Sequence, residues 1–74
     1  METIKHLVCE EMRVRGVKCA VIGIVYRDRE EYAKEINDVM FFEDYSDFRD
    51  WWKTLDSLFE PSERPVHAWI IYNV

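Results

Sequence analysis

The chain is short of glycine, cysteine and long apolar runs, and each shortage closes off a class of protein. Gly16 and Gly23 are the only glycines among 74 residues, so no glycine-rich loop can cradle a phosphate or a dinucleotide. Two cysteines, Cys9 and Cys19, are too few for the disulfide framework of a small secreted domain. With His6 and His67 they match the donor count of a structural zinc site. They contain no C-x-x-C and no close pair of histidines, so no metal and no cofactor is expected. The longest apolar run, Cys19 to Tyr26, is strand-length and falls far below the roughly 18–20 residues of a membrane span. No charged-then-apolar leader opens the chain, and a reduced, cytoplasmic setting is the expectation. No repeat, low-complexity tract or Gly/Ser linker divides it, so residues 1–74 read as a single domain.

Positive charge is also in short supply where it would matter for nucleic acid. The net charge is −5. Residues 1–27 carry five basic and three acidic side chains, residues 28–60 carry four and eleven, and residues 61–74 balance. The middle segment would repel a phosphate backbone, which argues against direct nucleic-acid binding. It suits a basic protein surface instead.

What the chain does have is aromatic bulk, with three Trp, four Tyr and four Phe. A chain this short buries only roughly 60–65% of the surface its unfolded form exposes. Large rings, each burying about 150–250 Å², compensate for that size.

The clearest local pattern runs from Asp47 to Glu60. Phe48, Trp51, Trp52, Leu55, Leu58 and Phe59 recur at i, i+3, i+4, i+7, i+10 and i+11, and every other residue is polar. At about 100° per residue the apolar set fills one arc, which predicts an amphipathic helix over 47–59. Val17–Tyr26 predicts a strand apolar on both faces, hence a central one, with Gly23 leaving room for close packing. Pro61 and Pro65 bracket a turn, and Val66–Val74 predicts a last strand.

Two segments are less decided. Residues 3–15 favour a helix, with Ile4, Leu7, Val8 and Met12 on one face, Thr3 as its cap and Gly16 at a left-handed stop followed by Val17. Glu11 and Arg15 fall inside that apolar arc, where they could pair, and a strand over residues 4–9 is the alternative. Residues 28–43 have two readings. In one, a helix starts at Asp28 and breaks at Asn37-Asp38 before a strand from Val39 to Phe42. In the other, Asp28–Glu31 is a turn and residues 32–43 return as the second strand of a hairpin. The resulting expectation is an α+β fold: a small two-layer α/β sandwich of about three strands, with the 47–59 helix packed on the sheet. Two strands apolar on both faces would outrun the helices available to cover them, so a homodimer is expected.

Candidate chemistry is thin. A Cys–His nucleophile needs a thiolate beside a base. Cys19 opens an apolar strand, where burial would keep it protonated, and Cys9 has only His6 near it in sequence. Glu43, Asp44, Asp47 and Asp50 cluster at the entry to the tryptophan helix, where Asp44 or Ser46 can cap it and the remaining acids complement its dipole. Trp51 and Trp52 diverge by about 100°, so the pair straddles the apolar stripe. These six residues, Glu43, Asp44, Asp47, Asp50, Trp51 and Trp52, form the candidate partner-binding surface, combining long-range attraction with an apolar anchor.

In size, acidity and lack of motifs the chain is similar to phage-encoded inhibitors of host defence. That is a likeness of composition, which carries over no site residues. It implies a non-enzymatic, acidic protein-binding module that blocks a basic surface on a nucleic-acid-handling host protein. The alternative class is a small enzyme or ligand-binding domain whose pocket forms between protomers.

Overall fold

The computed structural model describes the backbone of residues 2–73 and the side chains of residues 4–73. The elements are α1 (Glu2–Arg15), β1 (Cys19–Tyr26), β2 (Glu30–Tyr32), β3 (Met40–Phe42), α2 (Tyr45–Leu58) and β4 (Pro65–Tyr72), with short 3-10 turns at Ile36–Asp38 and Pro61–Glu63. The class is α+β, with two helices on a four-stranded antiparallel sheet.

The helical reading of the N-terminal segment holds, and its stop is the expected one. Gly16 sits at φ 69°. The Gly16 amide donates to the Arg13 carbonyl at 3.3 Å and the Val17 amide to the Met12 carbonyl at 3.0 Å. Those two bonds make a Schellman motif, and Val17 packs on the cluster containing Met12, which supplies the accompanying apolar contact. Because α1 already includes Glu2, Thr3 lies within its first turn rather than at a cap, and its side chain falls outside the described residues. The two charges inside the apolar arc are resolved by pairing. Arg15 Nε donates to Glu11 Oε1 at 2.8 Å, and the Arg15 guanidinium lies 4.2 Å from the centre of the Phe41 ring.

β1 is the central strand. It pairs β4 from Cys19↔Tyr72 to Tyr26↔Pro65, with irregularities between Val21 and Gly23 and between Val25 and Tyr26. It also pairs β2 through Gly23–Val25 and β3 through Cys19–Val21. One edge of a strand accepts one neighbour at a given residue, so β2 and β3 share the edge opposite β4. They are two pieces of a single return strand. Between Gly23↔Tyr32 and Val21↔Met40, Ile22 alone faces the seven residues Ala33–Val39.

The helix reading of Asp28–Asn37 is therefore corrected to a hairpin, although its return strand starts at Glu30 and is broken over residues 33–39. The strand expected at Val39–Phe42 is present as β3. The Tyr26 amide donates to the Arg29 carbonyl at 2.7 Å to close the turn. The excursion has a packing cause. Ala33, Ile36 and Val39 recur three apart and pack with Ile4, Val8 and Met12 of α1, while Asp38 accepts the Lys34 and Glu35 amides at 3.3 and 3.2 Å. The chain leaves the sheet so that those apolar residues can reach the helix.

The helices lie on opposite faces. Ala20 and Ile22 point to α1, together with Phe41 and Ile71. Cys19 and Val21 point to α2, where Phe48 sits among Phe42, Trp51, Trp52, Ala68 and Ile70. The tryptophan helix packs on the sheet through Phe48, Trp51 and Trp52, with Leu55 also buried, while Leu58 of the expected apolar arc is 70% exposed. α1 adds a layer on the second face. Both faces of β1's first half are thus covered within one chain. This removes the reason for covering them with a second copy.

Candidate functional site

The acidic cluster is first of all the start of α2. Asp44 is its N-cap, accepting the Tyr45 amide at 2.7 Å, and Asp47 stands in the first turn. Each arrangement offsets the free amides and partial positive charge of the helix start. That accounts for Asp44, but it leaves Glu43, Asp47 and Asp50 in solvent. The ion pairs among the described residues are Arg13–Glu10, Arg15–Glu11, Arg29–Asp28 and Arg29–Glu31, none of which involves the cluster. Among the described residues, no salt bridge compensates these carboxylates.

Glu43 and Asp44 precede α2, Glu43 being exposed, and helix geometry separates the remaining candidates into two flanks. Asp47 and Asp50 follow on the side of Trp51, at steps of about 40° and 60° around the axis, whereas Tyr45 shares the side of Trp52. The ring contacts agree with this division. Trp51 meets Phe42 of β3 at 5.5 Å between centroids, while Tyr45 meets Tyr72 of β4 at 5.6 Å. Both tryptophans are half-buried and both contact Phe48, so neither stands free of the core. Asp44 belongs with the second flank, since the Tyr72 hydroxyl donates to its Oδ1 at 3.5 Å.

The Trp51 flank borders a feature that the sequence did not disclose. Where the return strand leaves the sheet, an open cleft of about 680 Å³ forms, with Trp51, Met40, Tyr26 and Tyr32 among its walls and Glu30, Glu31, Lys34 and Asp38 among its polar groups. Its floor is β1 from Val21 to Ile24. Glu30 accepts the Tyr32 hydroxyl at 3.2 Å, and Glu31 accepts Arg29 Nε at 3.1 Å. All three carboxylate residues are exposed. Aromatic faces beside carboxylates suit a cationic group, by charge and by cation–π attraction. The nearest sequence signal was the hairpin reading, but it left Glu30 and Glu31 in the turn, whereas the structure pairs them with Val25 and Ile24.

The sulfur and imidazole groups are spread over three elements, with His6 and Cys9 one turn apart on α1, Cys19 on β1 and His67 on β4. Cys19 is fully buried, and burial pushes its thiol above the ordinary range, with the Asp44 charge adding to the effect. Cys9 is half-buried on α1 and His6 is exposed. His67 stacks edge-on against Trp69 at 5.0 Å on β4. Among the described residues no group of three or more His, Cys, Asp or Glu is placed to hold a metal ion. Among the described residues no helix is long and apolar enough to cross a membrane. Protein-family models, curated proteins and solved structures offer no match to this chain.

Proposed function

We propose that this protein is a small, non-enzymatic, acidic binding module that docks on a basic surface of another protein. The reading extends to an inhibitor that occupies the phosphate-binding surface of a nucleic-acid-handling protein. One observation supports it above the rest: Trp51 joins the acidic flank of α2 to the cleft beside β2, so acids and aromatic walls form a continuous surface. Asp47 and Asp50 supply long-range attraction, and the cleft receives a lysine or arginine side chain between Trp51 and Glu31. Trp52 belongs to the supporting core of this surface. A reducing, cytoplasmic setting accords with two free thiols.

Affinity capture from the native host, followed by mass spectrometry, tests this reading with paired baits. A partner retained by the native chain and lost with both Asp47→Lys/Asp50→Lys and Trp51→Ala supports it. A partner retained equally by folded variants places the site elsewhere, with the basic N-terminal third the next surface to test. The alternative, a small enzyme or ligand-binding domain, draws on the same cleft, which lies within one chain rather than between protomers. Saturable binding of a small organic amine, without any protein partner, would favour that alternative.

A further inference from the structure

We propose that the outer edge of β4 is a self-association edge, on which a second copy of this chain adds its own β4 in antiparallel, two-fold fashion. β4 hydrogen-bonds β1 along one side, and no strand among the described residues pairs with its other side. A free edge of this length is a template for another strand, and proteins normally blunt it with charge, proline or bulges. Here Pro65 and the irregularity at Val66 blunt only the beginning. Pro65–Tyr72 contains no Lys, Arg, Asp or Glu. It exposes Val66, Trp69 and Tyr72 at 51%, 45% and 41%.

The register of the strand makes a copy of itself the fitting occupant. Val66–Tyr72 overlaps its copy fully only when Trp69 lies on the two-fold axis. On the α1 side of the sheet, Trp69 then faces the second Trp69, and His67 faces Ile71 on either side of it. On the α2 side, Ala68 faces Ile70, and Tyr72 lies opposite Val66, where the irregularity ends the regular alternation. Every cross-strand pair joins uncharged groups, and most join aromatic, β-branched or small apolar side chains, the combinations that stabilise antiparallel pairs. The exposed His67–Trp69 row lies beyond the part of that face where α1 packs, so the pairing also covers apolar surface left open in the monomer.

Charge restricts where two copies can meet. The chain carries a net charge of −5, so two copies repel over most orientations, and β4 is the long neutral strand on which they can meet. The opposite sheet edge begins with Glu30 and Glu31 and is broken by the excursion at residues 33–39, so it offers no comparable ladder. A basic partner finds no opposite charge on β4. This inference is therefore independent of the acidic surface on α2, and the two can fail separately.

Sedimentation and light scattering of the whole chain, from low micromolar to near-millimolar concentration, test it. The native protein is expected to form a dimer, and Trp69→Lys, which sets like charges face to face on the axis, to weaken it at least tenfold. Trp69→Cys in a Cys9→Ser background should form an intermolecular disulfide under mild oxidation, because only an axial residue meets its own copy. Leu58→Cys, more exposed than Trp69 but on α2, is the control that should remain unlinked. The disulfide readout stands even if Trp69→Lys impairs folding. A native chain that stays monomeric throughout overturns the proposal. So does a dimer that survives Trp69→Lys without disulfide formation from Trp69→Cys. An open-ended distribution of masses, as head-to-tail strand addition would give, also overturns it.

Discussion

Tyr32 and Trp69 approach each other across β1 and close over Gly23 from its two sides. A β-carbon built on Gly23 would lie 2.9 Å from Tyr32 Cδ1, 3.1 Å from the Glu31 carbonyl oxygen and 3.2 Å from Trp69 Cδ1. Gly23 is buried beneath these rings, although both rings remain partly in solvent. The glycine is thus required by its neighbours' volume. A left-handed backbone plays no part, since only Gly16 has positive φ among the described residues.

Gly23→Ala is expected to destabilise the fold by about 1–3 kcal/mol, the usual range for overpacking. The two rings can turn aside, but the Glu31 oxygen moves only with β2. Urea unfolding of Gly23→Ala, Tyr32→Ala and the double variant gives the coupling directly. A double variant less stable than the sum of the singles would contradict the steric account.

The stop of α1 yields a second expectation. Gly16→Ala keeps open space around its new methyl, as no atom lies within 4 Å of that position. It forces an L-residue into the left-handed region, which costs about 1–2 kcal/mol. The midpoint of urea unfolding should fall with little change in slope. An unchanged midpoint would mean that the Schellman bonds are dispensable.

The two thiols should differ sharply in reactivity. Cys9 is half-buried and Cys19 fully buried, with its thiol held above the ordinary range by burial. A disulfide-exchange reagent is expected to titrate Cys9 in the native state and Cys19 only after unfolding. The sign of the linked pH effect follows from the raised value. The protonated Cys19 thiol contributes its stability below the ordinary thiol pKa of about 8.5, and this is lost as pH rises through the folded-state value. Stability should therefore decline on the alkaline side, and less so in Cys19→Ala measured against its own neutral-pH value.

For the acidic surface, charge and packing should separate kinetically. Once a partner is in hand, Asp47→Lys/Asp50→Lys should slow association and flatten its salt dependence, at a stability cost of about 1 kcal/mol from the reversed charge in the first turn of α2. Trp51→Ala should mainly speed dissociation. A hot-spot residue contributes about 2 kcal/mol or more, roughly a thirtyfold loss of affinity. Stopped-flow association against salt, with unfolding curves as control, distinguishes these outcomes from a general loss of fold.

Much of the local structure was legible because it depends on neighbours three or four residues apart. The spacing of Phe48, Trp51, Trp52 and Leu55 specifies an amphipathic helix wherever it docks, and α2 carries Phe48 and Leu55 buried as that spacing requires. Gly16 followed by Val17 encodes a helix stop, and the β-branched run after Cys19 encodes a central strand. The acids around Asp44 encode a cap, which is what Asp44 provides.

The tertiary structure alone decided what residues 28–43 do, since a strand piece of three residues has no period of its own. Ala33, Ile36 and Val39 leave the sheet because α1 offers them a place to be buried, and α1 lies far away in sequence. That departure opens the cleft and brings Glu31 and Tyr32 into one site with Trp51. The sharing of the sheet's two faces between α1 and α2, and the free edge of β4, were equally unreadable. A side-chain pattern records which face of an element is apolar. Which partner covers that face, and which edge is left open, is settled only when distant segments compete for the same surface.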